Sequence, residues 1–188
     1  MCSDVIHDPR FAQLLYHFDV DLARQAQAKG CLHCGGRLDS ARYARKPRGG
    51  GPDFGDEYNS RQSYCCAVHG CRKRMTPRSL RFLARKVYLG AVVALAVCLM
   101  QGLSAANIAD LGLVLEVPRR TLKRWRVWWQ DTFVKTPFWQ LARARLMPPV
   151  QLERLPLSLL ERFAGSDWAT RVARLLEFIA SLSTASAG

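Results

Sequence analysis

With 188 residues, 49% of them apolar, the chain carries the hydrophobic content of a globular protein of one ordinary or two small domains, not that of a disordered one. Its 28 lysines and arginines face 15 aspartates and glutamates, a net charge of +13 that points to polyanionic partners and says little about fold. The charge concentrates between Cys31 and Lys86, where 13 basic and 4 acidic residues stand, against 3 and 4 over residues 1–30.

The opening stretch, MCSDVIHDPR, lacks the basic-then-apolar pattern of a secretion signal. With an odd count of seven cysteines, this predicts a cytoplasmic, nucleoid-associated protein with reduced thiols, in which clustered cysteines ligate metal more often than they form disulfides. Asp8-Pro9 offers a cap oxygen and a first-turn proline, and Phe11, Leu14, Leu15, Phe18 and Leu22 recur at helical spacing until Gly30. Residues 1–30 therefore read as an amphipathic helix. Residues 31–78 follow as a ribbon with a basic loop, because RLDSARYAR and NSRQSYCC are strand-like while Gly49, Gly50, Gly51 and Pro52 interrupt any regular element between them.

From Ser79 the pattern turns helical and is expected to run unbroken to Met100, with Gly102 as its stop. The 14 residues from Val87 to Met100 are too few to span a bilayer, which takes about 20, so no membrane segment is expected. Ser104 caps a helix to about Leu115, Glu116 and Val117 make a turn, and Pro118 opens another helix, so residues 79–135 read as a helix-turn-helix domain. Residues 136–188 are broken by prolines and then give an amphipathic helix from Asp167 to about Leu182, with Trp168, Val172, Leu175, Leu176 and Ile179 on one face and a frayed tail after it. The expected class is mainly α with a small β zinc ribbon (α+β), and the last helix is a candidate homodimer contact.

Two groups of soft ligands stand out. CLHCGG supplies Cys31 and Cys34 on a tight turn, and CCAVHGC supplies Cys65, Cys66, His69 and Cys71. A structural zinc site takes four thiolates or imidazoles, usually as two turn-borne pairs. Adjacent Cys65 and Cys66 face opposite sides of a strand, so one of them enters. Three closures are open: Cys66 with Cys71, Cys66 with His69, and Cys65 with Cys71. The first is preferred because it completes an all-cysteine site and Gly70 gives its loop slack. Zn2+ bound by Cys31, Cys34, Cys66 and Cys71 would be structural, with no open position for chemistry. Cys2 and Cys98 read as ordinary cysteines, Cys98 as a core residue; His7, His17 and His33 read as surface or core groups.

On a wheel from Pro118 to Phe133, Leu122, Trp125, Trp129 and Phe133 share one face. Arg120, Lys123 and Arg124 lie opposite, with Arg119 on the flank. That is the pattern of a recognition helix whose cations meet phosphates or guanine edges, with Thr121 a candidate phosphate donor. CRKRMTPRSLRFLARK adds Arg72, Lys73, Arg74, Arg78, Arg81, Arg85 and Lys86 as a strap for salt-dependent, sequence-independent contacts, and the arginines of ARYARKPR suit a minor groove.

The order CLHC, then CCAVHGCRKRMTP, then RRTLKRWRVWW resembles zinc-ribbon plus helix-turn-helix DNA-binding proteins associated with bacterial insertion sequences and transposases, over roughly residues 31–135. The resemblance implies a C-x4-C-R pattern at the second pair, which favours Cys66 and Cys71 over His69, and a role in binding double-stranded DNA. After Val134 the acidic residues are only Glu153, Glu161, Asp167 and Glu177, too few for a two-metal transposase core, so the chain reads either as a stand-alone accessory or regulatory DNA-binding protein or as one subunit whose catalytic partner is separately encoded. No P-loop, nucleophile elbow or dinucleotide fingerprint is present, so no enzymatic activity is expected. The favoured function is a sequence-specific DNA-binding accessory or regulatory factor of a mobile element; the alternatives are a transcriptional repressor of the same parts and a zinc-ribbon adaptor that holds a partner protein.

Overall fold

The computed structural model describes residues 7–46, 48–49, 55–83 and 88–184. Cys2, Gly50 to Pro52, Arg85 and Lys86 lie outside them. The described chain is mainly helical, with seven α-helices and two small antiparallel sheets.

Helix α1 spans Pro9–Lys29, and Asp8 caps it by accepting the Arg10 N–H at 2.9 Å. It ends at Gly30, whose φ of +73° suits glycine, and a Cβ there would lie 2.7 Å from the Gly35 carbonyl oxygen. Phe11, Ala12 and Leu15 are buried as an amphipathic helix requires, whereas Leu14 of the expected stripe is exposed. Asp19 occupies a buried position on the same helix.

Five short strands follow: β1 (Leu38–Ser40), β2 (Tyr43–Ala44), β3 (Ser60–Arg61), β4 (Tyr64–Cys66) and β5 (Arg74–Met75). One sheet has the order β1-β4-β5, and β2 pairs with β3 in the other. In the β1–β4 register Leu38 lies opposite Cys66 and Asp39 opposite Cys65, which puts Cys66 on the buried face and Cys65 on the other. Strand β5 falls within the stretch expected to be only a basic strap.

The expected helix from Ser79 to Met100 is corrected. Helix α2 is Gly90–Leu99, and residues 79–83 are irregular. The cause is a polar capture from far along the chain. Asp19 accepts the Ser79 hydroxyl at 2.5 Å, the Leu80 N–H at 2.6 Å and Arg81 Nε at 2.8 Å, while the Arg81 guanidinium donates to the carbonyls of Tyr58 and Ser60. The Arg81 backbone carbonyl accepts the Gly90 N–H at 2.8 Å, bringing the irregular segment against the start of α2. Arg81, expected in the exposed strap, is therefore buried, as is its partner Asp19, each side chain about 1% exposed.

Helix α2 forms the centre of the core, with every residue from Gly90 to Cys98 buried. A Cβ at Gly90 would lie 3.0 Å from Leu176 Cδ2, so the missing side chain lets the last helix approach. Ser104 caps α3 (Ala105–Val114), Glu116 turns the chain at φ +51°, and α4 (Arg119–Val127) follows Pro118. A Cβ at Gly112 would stand 2.8 Å from the Val117 carbonyl oxygen, so glycine permits this tight helix–turn–helix corner. The chain continues through a π turn, Trp128–Thr132, and a 3-10 turn, Phe133–Lys135, into α5 (Pro137–Ala142). Helix α6 (Leu157–Leu160) and α7 (Trp168–Ile179), capped by Asp167, close the fold. Phe133 sits between Trp129 and Trp139 at ring-centroid distances of 4.9 and 5.0 Å, within the favourable aromatic range. No helix among the described residues is long and apolar enough to cross a membrane.

Candidate metal centre and cationic helix face

The first cysteine turn is built by backbone bonds: Cys31 N–H donates to the Gly36 carbonyl at 2.9 Å and Gly35 N–H to the Cys31 carbonyl at 2.7 Å, with Gly35 at φ +71°. In the second turn, the N–H groups of Cys71 and Arg72 donate to the Val68 carbonyl at 3.0 and 3.1 Å, and Arg72 takes a φ of +48°. The pairing of β1, β4 and β5 holds the two turns together. Gly36 lies at their junction, where a Cβ would meet Val68 Cγ2 at 2.4 Å and the sulfurs of Cys34 and Cys66 at 3.3 and 3.5 Å.

Cys31, Cys34, Cys66 and Cys71 converge, their sulfurs all within 4.8 Å of one another. Cys31 Sγ lies 3.7 Å from Cys71 Sγ and Cys34 Sγ lies 3.5 Å from Cys66 Sγ. A disulfide needs about 2.05 Å, so none of these is one. A tetrahedron with zinc–sulfur bonds of about 2.3 Å has edges of about 3.8 Å, so these two edges fit a metal such as zinc. The donor set points the same way. The His33 N–H lowers the Cys31 thiol to about 7, whereas burial pushes the Cys66 thiol up to about 12. Metals bind cysteine as the thiolate, so a cation taken up there would release protons.

The remaining candidates stand outside the cluster. His69 is exposed and does not join it. Cys65 is half-buried on the far face, with its thiol toward the Cys66 and Arg72 carbonyls at 3.8 and 3.6 Å. Cys98 is a core residue of α2; His7, His17 and His33 are exposed. The arrangement is a four-cysteine cluster among small antiparallel strands, consistent with a zinc-ribbon-like site.

Helix α4 separates its faces by chemistry. Leu122 and Trp125 are buried, with Trp129 and Phe133 continuing the apolar line, while Arg119, Arg120, Lys123 and Arg124 are exposed. Thr121 does not face solvent with them. It is 6% exposed, and its hydroxyl accepts from the Arg124 guanidinium at 3.3 Å. On the ribbon, Arg72, Lys73, Arg74 and Arg78 are exposed.

The polar centre missed by periodicity is Asp19–Arg81. Its signal was present: a carboxylate four residues from Leu15 and from Ala23, on a helix face that is otherwise buried, needs a partner. Arg45, Arg61 and Arg81 all lie over the Phe82 ring, at 4.6, 5.4 and 5.1 Å from its centroid. Burial lowers Arg61 to about 10, which leaves it cationic at neutral pH. Compared with protein-family models, with curated proteins and with solved structures, the chain matches none of them.

Proposed function

We propose that the chain is a sequence-specific double-stranded DNA-binding protein in which α4 reads the major groove and a structural zinc ion stiffens the ribbon. The observation that carries this reading is the α4 face: Arg119, Arg120, Lys123 and Arg124 are solvent-facing, while the opposite face is anchored by Leu122 and Trp125. A short turn from α3 leaves that cationic face outward, which suits a helix that enters a groove. Guanidinium and ammonium groups there match guanine O6 and N7 or phosphate oxygens. The exposed Arg72, Lys73, Arg74 and Arg78 would supply the salt-dependent, sequence-independent share. This is a binding role without a catalytic one, in which a separately encoded transposase or a second copy of the chain would be a protein partner.

The test is selection of duplexes from a random-sequence pool by the zinc-loaded chain at near-physiological salt, beside a variant with alanine at positions 119, 120, 123 and 124. A discrete motif that the variant fails to select supports the reading. Its position at mobile-element ends or at promoters distinguishes an element-associated factor from a repressor. Enrichment of nothing by the wild type overturns the reading in favour of a protein-binding adaptor.

A further inference from the structure

Val127 closes α4 at 58% exposure and is not among the described apolar residues packed against the core. A β-branched residue at an exposed helix position gives up some helix propensity relative to alanine and here gains little burial in return. Its placement on the helix is specific. At about 100° per residue, Val127 lies roughly 20° from Arg120 and between Lys123 and Arg124, which flank Arg120 by roughly 60° and 40°. The exposed apolar group is thus at the centre of the cationic stripe, not at its edge.

The stripe also ends there. The π turn begins at Trp128, and four residues beyond Val127 stands exposed Asp131, ion-paired with Lys135. A carboxylate on this face is unfavourable beside phosphates. From Arg120 to Val127 the helix rises about 10 Å, which matches about three base-pair steps of roughly 3.4 Å. We propose that Val127 is a specificity-determining residue that contacts the 5-methyl group of a thymine at one end of a three-to-four-base-pair subsite, with Arg120, Lys123 and Arg124 on the neighbouring pairs. The proposal rests on the DNA-binding reading of α4. An apolar side chain against a thymine methyl needs no hydrogen bond, and it distinguishes thymine from cytosine and from uracil.

The experiment starts from the motif selected by the full zinc-loaded chain and replaces each of its thymines singly with uracil, which removes the methyl group alone. Affinities are measured by fluorescence anisotropy for wild type, Val127→Ala and Val127→Thr, with circular dichroism to verify folding. Uracil at one position is expected to weaken wild-type binding about fourfold, the worth of one methyl taken out of water. Val127→Ala should bind the thymine and uracil duplexes equally well, and Val127→Thr should show a smaller penalty than wild type. A motif without thymine, no penalty at any thymine, or the same penalty in wild type and Val127→Ala overturns the role of Val127 while the four-cation helix stands. If no motif is selected, or the four-alanine variant selects the same one, the DNA reading of α4 falls and the Val127 contact with it.

Discussion

Replacing Asp19 with asparagine keeps the shape of the side chain and removes its charge from a site where both partners are about 1% exposed. The carboxylate meets Ser79, Leu80 and Arg81 at 2.5 to 2.8 Å, so the substitution weakens three bonds and leaves the Arg81 cation without its counter-charge. Arg45 and Arg61 share the Phe82 ring with Arg81, so the cationic surroundings sharpen the loss. Breaking one side of a buried ion pair costs about 3–5 kcal/mol, a large share of the roughly 5–15 kcal/mol by which proteins of this kind are stable. At about 2–4 °C per kcal/mol for a chain of this length, Asp19→Asn should lower Tm by roughly 6–20 °C. Urea unfolding followed by tryptophan fluorescence, with zinc in excess so that metal release does not contribute, measures the difference. A loss below about 1 kcal/mol refutes the view that this pair organises residues 79–83. A double variant, Asp19→Leu with Arg81→Met, should recover part of the loss, because an apolar pair of similar volume carries no uncompensated charge.

Zinc measured by elemental analysis should be one ion per chain for the wild type, lost on Cys66→Ala or Cys71→Ala and retained on Cys65→Ser or His69→Ala; retention by Cys71→Ala would exclude the four-cysteine site. Gly36→Ala should lower zinc affinity as measured by chelator competition, since its Cβ would meet Val68 Cγ2 at 2.4 Å and push the two turns apart. The Thr170 N–H holds the Asp167 carboxyl below its usual range. Its folded pKa is depressed, so the stabilisation it gives α7 is present above the unfolded value and is lost as pH falls through the folded one. The stability gap between wild type and Asp167→Ala, read by urea unfolding, should therefore close in acid; a gap constant from neutral pH to acid would show that capping by the charged form is not its source. Chelation of zinc should raise hydrogen exchange in the ribbon and at the C-terminal end of α1 before the α4 amides respond, and simultaneous loss of protection in both would show that the two cores unfold as one.

The sequence carries the punctuation of this fold well. Asp8-Pro9 and Gly30 bracket α1, Ser104 and Asp167 cap α3 and α7, and the wheel of α4 separates Leu122 and Trp125 from four cations, because each signal is local and acts on its own backbone. The thiol cluster is legible from ligand type and spacing as two groups of cysteines; alternation along a strand admits one of Cys65 and Cys66 without saying which, and the strand register puts Cys66 inward. What local pattern cannot carry is competition from a distant residue. Ser79 to Leu83 has the periodicity of a helix, yet Asp19, some sixty residues away in sequence, takes the donors of Ser79, Leu80 and Arg81, and α2 starts only at Gly90. Thr121 shows a related effect: its neighbours in sequence are cations facing outward, but its own angle on the helix turns it toward the core side. Strand β5 is two residues long and depends on pairing with β4, so it leaves no alternation to read.

Helix α1 gives the metal cluster its relation to the helical body. Its first turns place Phe11, Ala12 and Leu15 in the large core with α2, α4 and α7. Its later turns place Ala23 in the small core with Cys31, Leu38, Tyr64 and Cys66, where the Tyr64 hydroxyl donates to the Ala23 carbonyl at 2.9 Å and Gln27 Nε2 to the Leu38 carbonyl at 3.1 Å. Asp19 lies between these two regions and binds the segment that leads from the ribbon to α2. One helix of 21 residues, about 31 Å long, thus enters both cores and carries the polar lock between them. A small core of five buried residues is poorly able to hold its own strands, so the stiffness that a metal would add there is passed through α1 and Arg81 to the body that presents α4. On that argument the ribbon cations and the α4 cations belong to one frame, and a metal held by the four cysteines would fix the geometry of that frame.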